Sequence, residues 1–176
     1  DSTYTVNFNP ILEPENPSPN PPDRAAEDVV SIFSSHFDNL SNVNFNPNWG
    51  QSTKVSRVTI SGEEVFKYTN FNYQGIDLNK RINVSDMDYL HVDIWTADAS
   101  SINLFAISPG PSETPVSLSI TKGEWKSYDI PLSSYSSVVD LTNIFQFKFD
   151  DSGKGDKPTF YFDNLYFYKG APNAND

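Results

Sequence analysis

The sequence contains no cysteine and a single methionine in 176 residues, so no disulfide can staple the fold. No apolar run approaches the roughly 20 residues that a membrane-crossing helix needs. Basic residues are scarce: 12 Lys and Arg stand against 23 Asp and Glu, for a formal net charge of −11. Such a surface repels phosphates, which excludes a nucleic-acid partner, and it disfavours acidic glycans for the same reason. A neutral polysaccharide stays compatible, since it is held by ring stacking and hydrogen bonds. The acidity itself reads as solubility in an extracellular medium. No signal peptide is visible at residue 1, so the expectation is that any export signal was removed or lies upstream.

Catalytic constellations are missing as well. The Glu-x-Asp-x-x-Glu strand that places two carboxylates about 5 Å apart in a retaining glycosidase is not there. Nor is a Gly-x-Ser-x-Gly elbow, a cysteine nucleophile or a phosphate-cradling glycine loop. The two histidines, His36 and His91, lack metal-site spacing. These absences argue against an enzyme.

What is present is β-rich. Prolines crowd residues 1–22 (Pro10, Pro14, Pro17, Pro19, Pro21 and Pro22), which predicts an extended linker, with Tyr4–Phe8 read as the last strand of a preceding domain. Residues 23–169 form the predicted globular domain, and 170–176 a second linker or tail. Flanking tethers point to a multidomain parent. Inside the domain, runs rich in Val, Ile, Phe, Tyr and Thr alternate with Gly, Pro, Asn and Ser. They predict strands at Val55–Ile60, Glu64–Thr69, Tyr89–Thr96, Ser101–Ser108, Val116–Ile120, Lys126–Pro131, Ile144–Phe149 and Thr159–Tyr168. Short strands at this spacing mean an all-β sandwich or barrel. Asp28–Phe37 fits either a strand or a helical stripe, the strand being favoured.

Alternation assigns faces. Leu90, Val92 and Ile94 point to the core, which leaves Tyr89, His91, Asp93 and Trp95 on the opposite face. Phe145, Phe147 and Phe149 go inward, with Gln146, Lys148 and Asp150 outward. A sugar ring offers an apolar face of C–H bonds that a flat aromatic side chain covers, while amides, carboxylates and amines satisfy its hydroxyls. Two loops combine these groups: Asn44–Gln51 around Trp49, and Asn70–Gly75 with Tyr73 and Gln74. The ligand-binding candidates are therefore Trp49, Tyr73, Gln74, His91, Asp93, Trp95, Gln146 and Lys148. The bland alternatives are a Trp49 folded over the end of the sandwich, a Trp95 covered by a loop, and Tyr73 and Gln74 packed in a turn. Trp125 reads as edge packing.

Glu124–Leu132, Val139–Ile144, Gln146–Lys148 and Tyr161–Phe167, together with Tyr89–Thr96, resemble in order the strands of β-jelly-roll carbohydrate-binding modules. The modules concerned are those attached to Bacteroidetes glycan-degrading enzymes and surface glycan-binding proteins, laminarin-type β-glucan binders among them. The resemblance covers residues 24–168. It implies a β-sandwich jelly roll without catalysis, a monomeric module tethered to other domains, and an extracellular or cell-surface setting, on a bacterial outer-membrane lipoprotein or a secreted enzyme. It also implies a structural calcium near the terminal strands, with Asp163 as carboxylate ligand and Asp28 and Ser34 as candidate partners; an ordinary Asp-Asn bulge at 163–164 is the alternative. Two rivals stand beside the polysaccharide-binding reading: a structural or adhesion spacer of the same fold, and a cryptic hydrolase or lyase using Asp93 with His91.

Overall fold

The computed structural model describes residues 2–5 and 10–172. The expected strand at Tyr4–Phe8 falls partly outside them. Residues 2–5 carry no strand, and Tyr4 is exposed.

Among the described residues ten strands follow in chain order: β1 (Val29–Phe33), β2 (Lys54–Ile60), β3 (Glu63–Thr69), β4 (Tyr73–Ile82), β5 (Tyr89–Trp95), β6 (Ser101–Ser108), β7 (Ser112–Ser119), β8 (Lys126–Pro131), β9 (Ile144–Asp150) and β10 (Phe160–Tyr168). They build two antiparallel sheets packed as a sandwich. One sheet runs β2-β3-β10-β5-β8, with β1 pairing the second half of β10 on the edge where β3 pairs the first half. The other runs β4-β9-β6-β7. The all-β sandwich of the sequence reading holds. Val29–Phe33 takes the strand alternative, preceded by a short 3₁₀ turn at Ala26–Asp28.

Local chemistry sets the connections. Between β2 and β3 the two turn residues Ser61 and Gly62 both have positive φ, 47° and 88°. That geometry matches the right-handed twist of a tight hairpin. In β10, Asn164 has φ 52°, and the pairing with β5 slips between Asp163 and Tyr166. This is a bulge in which asparagine tolerates the left-handed conformation. The core between the sheets is aromatic. Phe162 stacks on Phe66 at 4.9 Å and meets Phe149 from the other sheet at 5.4 Å. Such pairs add about 0.5–1.5 kcal/mol each beyond the area they bury.

Three features depart from the sequence reading. Strand β4 occupies a stretch read in part as a loop, because Gly75 and the charged end of Asp77–Ile82 weaken its alternation. At the start of β9, Ile144 is buried while Phe145 is half-exposed, so inward alternation holds only from Phe147 onward. The proline-rich segment is not a free linker: it lies across the outer face of the six-stranded sheet, with Pro14 and Ser18 buried. The indole N–H of Trp125 donates to the carbonyl of Asn16 (2.8 Å), the hydroxyl of Ser61 donates to that of Glu15 (3.0 Å), and the Arg24 guanidinium sits 3.8 Å over the Tyr168 ring. Proline fixes the backbone in an extended form and leaves no N–H to bury, which suits a strap laid on an aromatic sheet face.

Candidate carbohydrate-binding face

The outer face of the four-stranded sheet carries a partly exposed arrangement of aromatic and polar groups. Its strands bury Ile76 and Leu78, Phe147 and Phe149, and Leu104 and Ala106. Period-two alternation turns their neighbours outward. The registers place these neighbours in rows across the strands. One row is Tyr73, Asp150 and Asn103; the next is Gly75, Lys148, Phe105 and Pro115; the third is Asp77, Gln146, Ile107 and Glu113.

Trp49 reaches this face from the long loop between β1 and β2. The loop is braced by its own polar residues. Gln51 accepts from the Trp49 backbone N–H (2.8 Å) and donates to the Pro47 carbonyl (2.8 Å), and the Tyr73 hydroxyl donates to the Trp49 carbonyl (2.6 Å). The six-membered ring of the indole rests on Gly75, where an added Cβ would fall 2.3 Å from the ring. Only glycine lets the two approach so closely. Farther along, the Lys148 ammonium pairs with Glu113 (2.9 Å) and lies 4.2 Å from the centroid of Phe105, Gln146 donates to Asp77 (3.3 Å), and Asn103 donates to Asp150 (3.0 Å). The result is a half-buried strip of rings, amides and carboxylates with one amine.

Thus Trp49, Tyr73, Gln146 and Lys148 lie together on this face. Gln74 does not: it is fully buried, and its amide bonds with Gln51 (3.3 Å) and Asn46 (3.3 Å), so it braces the loop. Asp77, Asn103, Phe105 and Glu113 were missed. The alternation of β6 singles out Asn103 and Phe105, but only pairing shows that they flank Lys148.

No protein-family model matches the sequence, and neither does any curated protein. Solved structures do match in fold. A family 11 carbohydrate-binding module from Clostridium thermocellum, in complex with a β-1,3-1,4-mixed-linked tetrasaccharide, superposes with TM-score 0.59 at 17% identity, over 83% of this chain and 98% of that one. A family 29 carbohydrate-binding module gives TM-score 0.54 at 12% identity, over 81% and 92%. An exo-β-agarase gives 0.59 at 16% identity, with 83% of this chain covering 26% of the agarase. The chain has the fold of carbohydrate-binding modules.

Within this module fold, His91, Asp93 and Trp95 occupy the other sheet. Their alternation is as expected, opposite to Leu90, Val92 and Ile94, but the face they share is sealed. The proline-rich strap covers it, leaving Asp93 at 0%, His91 at 3% and Trp95 at 3% exposure. Trp95 packs edge-on to Tyr161 at 5.7 Å. The two ring nitrogens of His91 lie 2.8 Å from Asp129 and 2.9 Å from Asp93. Both nitrogens of the ring are thus held between two carboxyl groups. His91, Asp93 and Trp95 are therefore structural, and the hydrolase reading loses its catalytic pair.

The bulge of β10 sits beside this network. Asp163 accepts from the Ser18 hydroxyl (2.6 Å) and the Asn164 backbone N–H (2.8 Å); Asn164 accepts from the Ser34 hydroxyl (2.8 Å) and donates to Asp93 (2.8 Å). Burial, with repulsion from Asp93 and Glu63, pushes the Asp163 carboxyl up to about 7 against the pull of those two hydrogen bonds. Among the described residues no three acidic, histidine or cysteine side chains group as metal ligands. Oxygens of Asp163, Asn164, Ser18 and Ser34 nevertheless lie along one hydrogen-bonded chain, and oxygen donors are what calcium takes. Asp28 is not among them. It lies beyond the far end of β1, where its carbonyl accepts from Lys169 (2.9 Å).

Proposed function

We propose that this protein is a non-catalytic module that binds a neutral polysaccharide, a β-glucan, along the strip of Trp49, Tyr73, Asp77, Gln146 and Lys148. The observation that carries the reading is the seat of Trp49 on Gly75, which presents a large ring on a face where amides and carboxylates stand ready for hydroxyls. Asp77, Asp150 and Glu113 outnumber Lys148, so the strip favours neutral over anionic chains. The fold neighbours are modules, and one of them holds a mixed-linkage β-glucan. Laminarin-type β-1,3-glucan, suggested by the sequence resemblance, is the other leading ligand, and the setting we assign is extracellular. Calcium would be held by Asp163 with Asn164, Ser34 and Ser18, where it would neutralise a buried carboxylate and pin the strap.

Native gel retardation against laminarin, mixed-linkage glucan, xylan, mannan and alginate tests the reading. Retardation by a β-glucan, and its loss in Trp49→Ala, is expected. Free migration through every polysaccharide would overturn it and leave the spacer alternative.

A further inference from the structure

We infer that Phe105 is a second stacking platform, and that the strip takes a linear glycan lying across the strands, with one sugar unit on Trp49, one on Phe105 and one between them. This rests on the carbohydrate-binding reading of the same face. Gly75 pairs with Lys148, and Lys148 with Phe105, so the three stand in a single row across β4, β9 and β6. The Trp49 ring lies over the first member of that row. Neighbouring strands are about 4.8 Å apart, so the two rings stand about 10 Å from each other. That is too far for one sugar and suits two sugars separated by a third.

The intervening position belongs to Lys148. Its ammonium is tied to Glu113 at 2.9 Å and rests over the Phe105 ring. A four-carbon stem lets it swing aside and turn its three donors to the hydroxyls of the middle unit. The flanking rows supply the remaining polar partners: Asn103 and Asp150 on one side, Asp77 and Gln146 on the other. Both ends of the row are acceptor-rich and neither carries a free basic group among the residues named, so the occupant is an uncharged chain of at least three units.

Calorimetry with mixed-linkage and β-1,3-linked gluco-oligosaccharides of two, three and four units tests this. The wild-type protein should gain sharply in affinity between two and three units. Phe105→Ala should lose about tenfold for three and four units and nothing for two, with its melting temperature reported alongside. Trp49→Ala should weaken all lengths. If Phe105→Ala binds the trisaccharide as the wild type does, or weakens every length equally, the second platform is overturned while the binding face stands. If the wild type binds none of the oligosaccharides and none of the polysaccharides, the functional reading itself falls.

Discussion

The ring of Trp49 lies so close to Gly75 that a methyl group there would overlap it, at 2.3 Å from the nearest ring carbon. A loop residue and a strand residue 26 positions apart in the sequence thus act as one surface. Gly75→Ala should lift the indole away from the sheet and weaken glycan retention about as much as Trp49→Ala, by about 2 kcal/mol or roughly 30-fold. Affinity electrophoresis with tryptophan fluorescence checks it: the Gly75→Ala protein should lose retention while its Trp49 emission shifts to the red. Full retention would show that the seat does not position the ring.

Trp95→Ala should behave in the opposite way. Its indole is sealed against Tyr161 beneath the strap, far from the binding strip. Removing it opens a cavity and should cost about 3–5 kcal/mol of stability. Glycan affinity, measured well below the melting transition, should stay at the wild-type value.

The strap should prove part of the fold. Ser18→Ala leaves the buried Asp163 carboxylate short of a hydrogen bond and should cost about 1–3 kcal/mol. Deleting residues 10–22 should cost more, because it uncovers Trp95 and removes the contact of Asn16 with Trp125. Thermal melts and dye binding report both. A deletion variant that melts with the wild type would return the segment to the status of a linker.

Asp163 predicts a pH dependence for the metal-free protein. Its carboxyl is raised from 3.8 unfolded to about 7 folded, so the folded state holds the proton more tightly. The stabilisation is fully present below pH 4 and is lost as pH rises through 7, on the order of 4 kcal/mol in total. In chelator, the melting temperature should therefore fall between pH 5 and pH 8, and Asp163→Asn should flatten that fall. Calcium added at pH 8 should restore the lost stability in the wild type. The absence of any rise would remove calcium from the proposed function.

How much of this was legible beforehand differs by residue. Leu90, Val92 and Ile94 against His91, Asp93 and Trp95 were sorted correctly to two faces, because the pleat alternates whatever else the chain does. Whether the second face meets water is not a property of β5. It depends on residues 10–22 folding back over it, and proline-rich composition reads the same in a tether and in a strap. Gln146 and Lys148 were placed outward by the same alternation. Their neighbours Phe105 and Asp77 come from strands distant in sequence, which only the order β4-β9-β6-β7 brings together.

The sequence by itself determined the β class, an acidic composition that disfavours polyanions, and the alternation within each strand, because composition and a two-residue period act locally. Only the tertiary structure decided which of two polar and aromatic faces stays open. Covering a face and pairing strands are contacts between distant segments, and they set Trp49 on Gly75 while shutting Trp95 away.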